Sequence, residues 1–172
     1  MPGSNPIYYW DTCLFLSWIK DEQRPSDEMS GVREFIEKAK RREITIMTSV
    51  ITHSELLQSH LPAGMERLFT GFLRRIQNKG VDIKIARLAH DLRDYYVQRK
   101  DENNDKTLST PDALHLATAI LYRANEFHTF DRRNGRQTLG LLPLSGNVGG
   151  HKLTICKPEA RSPELDLKPQ KK

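Results

Sequence analysis

Ile7-Tyr8-Tyr9-Trp10-Asp11-Thr12 is the stretch of sequence that decides how the chain is expected to fold. Residues 7–10 are all β-branched or aromatic, a composition typical of a short buried strand. Asp11 and Thr12 end this strand, and apolar residues then recur at helical spacing, at Leu14, Phe15, Trp18 and Ile19. A strand is therefore expected to pass directly into a helix, with Asp11 at the junction.

The alternation of strand and helix continues along the rest of the chain. Further strands are predicted at residues 44–47, 81–85, 127–130 and 153–155. The segments between them show apolar residues three or four positions apart, which predicts helices with one apolar face. Alternating strands and helices imply a parallel sheet that is covered by helices on both faces.

Polar residues at the predicted helix ends suggest where several helices begin and stop. Ser30, Ser49 and Thr110 are the expected N-caps, and Pro111 after Thr110 suits the first helical position. The helix over residues 65–76 is expected to stop at Asn78-Lys79-Gly80.

Length and composition favour one domain. The chain has 172 residues, enough for a core that needs no disulfides. Its two cysteines, Cys13 and Cys156, form no Cys-X-X-Cys pair, which argues against a zinc knuckle or a disulfide framework. The N-terminus lacks the features of a signal peptide, and no apolar run approaches the roughly 18 residues of a membrane span. We therefore expect a cytoplasmic protein with no membrane contact.

The formal net charge of +5 is compatible with a polyanionic partner without demanding one. Residues 157–172 contribute five basic and three acidic side chains to it. This segment is rich in Pro, Lys and Glu and has no aromatic residue, so it is predicted to be a disordered basic tail. The expected folded domain is residues 1–156.

Four acidic residues fall where their side chains can reach one rim of the sheet. Asp11 closes the first strand and Asp131 closes the fourth, while Asp112 lies in the first turn of a helix. Glu55 lies in the helix that follows the second strand. Ligands of parallel sheets bind beyond the carboxyl ends of the strands. Converging carboxylates there repel each other unless a cation neutralises them, and their oxygens suit Mg²⁺ or Mn²⁺ better than zinc.

Each carboxylate also has an explanation that involves no metal. Asp11 could simply cap the first helix, and Asp112 is favourable near a helix start whatever its function. Glu55 could be a solvated surface charge, and Asp131 could belong to a plain turn. Their joint placement at strand ends and helix starts is what favours a site.

Four motifs resemble the acidic motifs of PIN-domain nucleases. They are Trp10-Asp11-Thr12, Thr52-His53-Ser54-Glu55-Leu56, Asp112-Ala113-Leu114-His115-Leu116-Ala117-Thr118-Ala119 and Thr129-Phe130-Asp131. Each falls in the strand or helix context that the family needs. The resemblance extends over roughly residues 7–156.

This resemblance implies a PIN-like three-layer α/β/α fold with a central parallel sheet of about five strands. It also implies Mg²⁺- or Mn²⁺-dependent cleavage of RNA. Asp11 and Asp112 would be the principal metal ligands, and Asp131 would complete the catalytic site. Glu55 would bind metal or orient the attacking water. Small bacterial members of the family are commonly VapC-type toxins held inactive by a protein antitoxin, and dimers are usual among them.

Further residues near these motifs are candidates for contact with RNA. Thr12 and Thr129 could hydrogen-bond a carboxylate or a phosphate. Arg132 and Arg133 could hold the RNA backbone because a guanidinium matches phosphate geometry, or could belong to a solvated turn. His115 is a helical neighbour of Asp112, and a structural role is favoured for it over an accessory role in the site.

Cys13 departs from the family pattern, which often has Asn two places after the first Asp. Because Cys cannot replace the hydrogen bonds of an amide, a non-catalytic PIN-fold module for RNA binding or assembly is kept as the alternative to an enzyme. A phosphatase or phosphotransferase of the haloacid-dehalogenase type, with Asp11 as nucleophile, is disfavoured. Such enzymes usually have a second Asp at the position of Cys13.

Overall fold

The computed structural model describes residues 5–24, 28–58, 64–103, 105–132 and 137–160. Within these ranges the strands are β1 (Ile7–Trp10), β2 (Thr45–Ser49), β3 (Gln77–Lys79), β4 (Glu126–His128) and β5 (Ile155–Cys156). The helices are α1 (Thr12–Ile19), α2 (Glu28–Lys40), α3 (Ile51–Gln58), α4 (Met65–Leu73), α5 (Ile83–Val97) and α6 (Thr110–Leu121), and a 3₁₀ turn spans Leu142–Leu144.

The five strands form one parallel sheet in the order β3-β2-β1-β4-β5. β1 lies at its centre, with Tyr9 opposite Met47 of β2 on one side and opposite Phe127 of β4 on the other. Because all the strands run in the same direction, their carboxyl ends share one edge. Asp11, which follows β1, and Thr129, which follows β4, are therefore neighbours at that edge.

Helices cover both faces of the sheet, and two adjacent residues of β1 show how. Tyr9 and Trp10 point to opposite faces and are both fully buried. Tyr9 packs in a cluster that includes α5 and α6, whereas Trp10 packs with residues of α1 to α4. The three-layer α/β/α fold with a central parallel sheet is thus confirmed. None of the described helices combines the length and the apolar character that a membrane crossing requires.

The third strand lies elsewhere than predicted. A strand is predicted at residues 81–85, but β3 is Gln77–Lys79, which overlaps the segment expected to stop the preceding helix. Asp82 instead caps α5, its carboxylate accepting from the Ile85 N–H at 2.9 Å. Val81, Ile83 and Ile85 alternate as in a strand, but Ile83 is the first residue of α5 and is 64% exposed, so the alternation does not reflect a buried strand face. A short polar edge strand relies on backbone pairing with β2 and leaves no apolar pattern to read.

Two predicted helix caps are also wrong. Ser30 lies inside α2, whose first described residue is Glu28. Ser109, rather than Thr110, caps α6 and accepts a backbone N–H of the first turn at 3.1 Å. Neighbouring hydroxyl residues cap equally well in isolation, so the pattern alone does not choose between them.

The segment after β5 packs on α2. Lys157 Nζ lies 2.6 Å from Glu28 Oε1, and Pro158 is buried. A Cβ on Gly31 would lie 1.9 Å from the Pro158 carbonyl oxygen, so only glycine allows this approach. The described chain therefore continues four residues past the expected domain end at 156, and the rest of the expected tail, residues 161–172, lies outside the described ranges.

Candidate active site

Asp11 occupies the junction between β1 and α1 that its sequence context predicts. Its carboxylate accepts from the Thr12 N–H at 2.6 Å, as a helix cap does, and from the Thr129 hydroxyl at 2.8 Å. The side chain is 7% exposed, so these bonds form in a largely dry setting. Asp11 therefore combines the capping role with a fixed position at the carboxyl edge of the sheet, and the two explanations considered for it are compatible.

Cys13 supports Asp11 through its thiol. The Sγ atom donates to Asp11 Oδ2 at 3.3 Å, lies 3.3 Å from the Thr129 hydroxyl and accepts from the Phe130 N–H at 3.2 Å. Burial, reinforced by the nearby Asp11 charge, raises the pKa of the Cys13 thiol well above its usual value. A protonated thiol thus supplies a hydrogen-bond donor at the position where Asn is frequent, although with weaker bonding capacity.

Asp112 lies in the first turn of α6, where the Ser109 hydroxyl donates to its Oδ2. Burial raises the pKa of Asp112 to about 6, against the opposing effect of the Ser109 hydrogen bond. The charges of Asp11 and Asp131 contribute to the same shift, and the charge of His115 opposes it. Asp11 and Asp131, which come from distant parts of the chain, are therefore close enough to act electrostatically on Asp112.

Asp131 is held by the loop that follows β4. Its Oδ2 accepts from the Leu141 N–H at 3.2 Å, and its own N–H donates to the Thr129 hydroxyl at 3.0 Å. Its carbonyl oxygen accepts from the Leu142 N–H at 3.0 Å. These bonds fix the backbone of Asp131 beside Asp11, because Thr129 contacts both residues.

Glu55 belongs to a second hydrogen-bonded group that adjoins the aspartates. The Thr12 hydroxyl donates to Glu55 Oε2, and His115 Nε2 lies 3.0 Å from the same oxygen. Burial acts to raise the pKa of Glu55, but the hydrogen bonds from His115 and Thr12 outweigh it and hold the pKa below its usual value. Glu55 is therefore an oriented, ionised carboxylate and not a solvated surface charge.

His115 connects this glutamate to the core. The ring is 1% exposed, and its Nδ1 lies 2.6 Å from the Tyr9 hydroxyl. Burial acts to lower the pKa of His115, but the hydrogen bond to Glu55 and the charges of Asp11 and Glu55 raise it overall. Its sequence context predicts a structural role, and the burial of the ring agrees with that role. The contact with Glu55 adds a link to the site that helical spacing from Asp112 did not reveal.

The four residues considered for RNA contact fall into different environments. The hydroxyls of Thr12 and Thr129 are buried and donate to Glu55 and Asp11. Of the two meanings left open for them, the carboxylate contact is the one present. Arg132 is 55% exposed and pairs with Glu28. Arg133 lies outside the described residues, and contact of any of the four with RNA stays a prediction.

Comparison with known proteins agrees with this fold. A sequence model of the PIN domain matches residues 8–137, which is most of the chain, so the chain belongs to the PIN-domain family. PIN domains are a family of nucleases whose members generally depend on a divalent metal ion. A comparison with curated protein sequences gives no match.

Two solved structures are similar in fold. One is VapBC2 from Rickettsia felis bound to a DNA fragment from the promoter; it is 21% identical at a TM-score of 0.55 and covers 72% of this chain and 86% of its own. The other is a toxin-antitoxin complex from Klebsiella pneumoniae, 20% identical at a TM-score of 0.52, covering 88% of this chain and 98% of its own. At such identities the likeness concerns the fold.

Proposed function

We propose that the protein is a metal-dependent endoribonuclease that hydrolyses RNA phosphodiester bonds, and that it is the toxin of a toxin-antitoxin module. The observation that carries the catalytic part is the position of Asp112 close to Asp11 and Asp131. Burial, together with the charges of Asp11 and Asp131, raises the pKa of Asp112, and a cation bound between these carboxylates would offset both effects.

The donor set fits Mg²⁺ or Mn²⁺. Asp11, Asp112 and Asp131 would hold the ion, with Glu55 as a further ligand or as the group that orients water. All four offer carboxylate oxygens, which these hard cations prefer. When bound, the ion supplies Lewis-acid stabilisation of the charge that develops on the phosphate.

The remaining steps belong to the side chains of the protein. Thr129 and Cys13 fix the orientation of Asp11, so the carboxylate is positioned before substrate arrives. Glu55, ionised and held by Thr12 and His115, would accept a hydrogen bond from the attacking water. The leaving oxygen would take a proton from solvent.

Two further observations support the assignment to RNA and to a toxin. The basic net charge of +5 favours a polyanionic substrate. Both similar structures come from toxin–antitoxin assemblies, so a small protein antitoxin is the proposed partner. A homodimer is expected from the family resemblance and stays a prediction.

Cleavage of a defined RNA by the purified chain, with Mn²⁺ or with chelator, tests the enzyme. We expect cleavage only with metal, and its loss in Asp11→Asn and Asp112→Asn while circular dichroism stays unchanged. Asp91→Asn, the same change at an exposed position of α5, is the matched control. Persistent cleavage in both site variants would refute the site. RNA binding without cleavage would instead favour the assembly module.

The toxin assignment has its own test. We expect the chain to slow growth when expressed alone and to be neutralised by coexpression of the short gene immediately upstream. The Asp11→Asn variant should not slow growth. If this variant inhibits growth as strongly as wild type, the toxicity does not depend on the acidic site.

A further inference from the structure

Three side chains with metal-binding atoms converge on the face of the sheet that α2 covers. They are Glu126 and His128 of β4 and Cys156 of β5. One carboxylate oxygen, one imidazole nitrogen and the thiol sulfur all lie within 4.8 Å of one another. Among the described residues no other group of three His, Cys, Asp or Glu side chains is this compact.

Strand geometry explains the convergence. Glu126 and His128 are two residues apart and therefore point to the same face of β4. Cys156 pairs with His128 in the parallel register, which places its side chain on that same face. The resulting separations are 2.9 Å from His128 Nε2 to Glu126 Oε2 and 3.5 Å from Cys156 Sγ to the same oxygen.

The surroundings of His128 differ from those of the acidic site formed by Asp11, Asp112, Asp131 and Glu55. Its ring packs edge-on against Phe35 of α2, with centroids 4.7 Å apart, and lies 5.2 Å from the ring of Tyr8. The histidine side chain is 1% exposed, whereas Glu126 is 24% exposed. The aromatic contacts hold the imidazole in place, and the partly open glutamate side gives an ion access from solvent.

We propose that Glu126, His128 and Cys156 form a second metal site, selective for Zn²⁺ over Mg²⁺. A thiolate, an imidazole and a carboxylate are a ligand set that zinc accepts in tetrahedral geometry, with water in the fourth position. Zinc–ligand bonds of about 2.0–2.3 Å at tetrahedral angles place the ligand atoms roughly 3.4–3.6 Å apart. The 3.5 Å between Cys156 Sγ and Glu126 Oε2 already matches this spacing, whereas the 2.9 Å between His128 Nε2 and Glu126 Oε2 must lengthen when the ion binds. On binding, the Cys156 thiol releases its proton to solvent.

Such an ion would tie together two strands that share little pairing. β5 contains only Ile155 and Cys156, and it leads into the segment that packs on α2. A zinc bridge from β4 to β5 would therefore stabilise the edge of the sheet and the segment that follows it. The expected effect is on the stability of this edge, and it is independent of the proposed nuclease activity.

Cobalt is the probe that distinguishes this site from the acidic site of Asp11, Asp112, Asp131 and Glu55. Co²⁺ added to the chelator-treated full-length chain should give a thiolate-to-metal charge-transfer band and the intense visible bands of tetrahedral coordination. Both should disappear in Cys156→Ser. Cys13→Ser is the matched control, because Cys13 adjoins Asp11, and this variant should keep both bands. A chain without a thiolate band, or a band lost in Cys13→Ser and kept in Cys156→Ser, would overturn the proposal.

Thermal unfolding provides a second readout that requires no absorption band. Zinc at about a hundredfold excess over its Kd should raise the Tm of the wild-type chain by roughly 5–10 °C. Glu126→Gln retains both cysteines, and we expect it to weaken zinc binding roughly tenfold or more. If Cys156→Ser fails to fold, zinc binding by Glu126→Gln tests the proposal instead. Equal zinc affinity of Glu126→Gln and wild type would contradict the site.

Discussion

His115 Nε2 lies 3.0 Å from Glu55 Oε2, although the two residues are 60 positions apart in the chain. Because an ionised carboxylate only accepts hydrogen bonds, this nitrogen carries a proton, and Tyr9 contacts the other nitrogen of the ring. Thr12 holds the same glutamate oxygen from α1. Glu55 is therefore held by hydrogen bonds from α1 and from α6, which lie on opposite faces of the sheet. Its orientation depends on His115, although His115 forms no hydrogen bond with Asp11, Asp112 or Asp131.

Removing this support should slow turnover more than it weakens substrate binding. We expect His115→Gln to lower kcat for RNA cleavage by about 10- to 100-fold with little change in KM, because Glu55 loses its fixed orientation. Tyr9→Phe, which deletes one hydroxyl, should cost only a few-fold. Steady-state cleavage with Mn²⁺ measures both. A His115→Gln variant that melts earlier yet keeps the wild-type kcat would show that the ring serves the core alone.

Asp112→Asn should stabilise the metal-free fold near neutral pH. The pKa of Asp112 is raised from 3.8 to about 6 in the folded chain, so its carboxyl contributes stability fully below pH 3.8 and loses that contribution as pH rises through 6. At pH 7 the neutral amide should gain about 1–3 kcal/mol in the free energy of unfolding.

Urea denaturation in chelator at two pH values measures this effect. The difference between Asp112→Asn and wild type should be large at pH 7 and shrink as the pH approaches 4. Asp91→Asn, on the exposed side of α5, should show no such dependence. A variant that is less stable than wild type at neutral pH would mean that Asp112 is better compensated in the fold than its neighbours suggest.

The same carboxyl predicts how metal affinity changes with acidity. Below pH 6 a bound proton on Asp112 must be displaced before an ion can use that oxygen. We expect Mn²⁺ affinity to be roughly tenfold weaker at pH 5 than at pH 7, as measured by calorimetry or by the metal-induced rise in Tm. A flat affinity over this range would place the ion elsewhere.

The identity of residue 13 should matter through hydrogen bonding. Cys13→Ser keeps a donor to Asp11 and should retain nearly full cleavage activity, whereas Cys13→Ala leaves Asp11 with one donor fewer. We expect the alanine variant to lose several-fold in kcat and about 1 kcal/mol in stability, since the Phe130 N–H also loses its acceptor. Equal activity of the serine and alanine variants would show that the Thr129 hydroxyl alone orients Asp11.

The positions of Asp11 and Asp112 at a strand end and a helix start were predictable because each follows a local change of pattern. The apolar run of β1 stops at Asp11, and a proline marks the start of α6 just before Asp112. Both signals can be recognised from residues that are adjacent in the sequence. β3 was missed because its strand character comes from pairing with β2 and not from its own polar residues.

Residues that act across the sheet left no comparable signal. The Tyr9 hydroxyl and His115 meet across 106 positions, and Tyr9 is indistinguishable in the sequence from the other aromatic residues of its strand. Cys156 and Glu126 are 30 positions apart, with no metal-binding spacing between them. These groups become recognisable only once the strand order and register are known.

Glu28 links the segment after β5 to the loop that carries Asp131, and this has a practical consequence for anyone engineering the protein. Its carboxylate is 11% exposed, and Lys157 and Arg132 both pair with its Oε1 atom. An affinity handle spliced directly after Cys156 would remove the lysine and disturb the charge balance beside the residue that follows Asp131. A handle placed beyond residue 160 leaves that anchor intact.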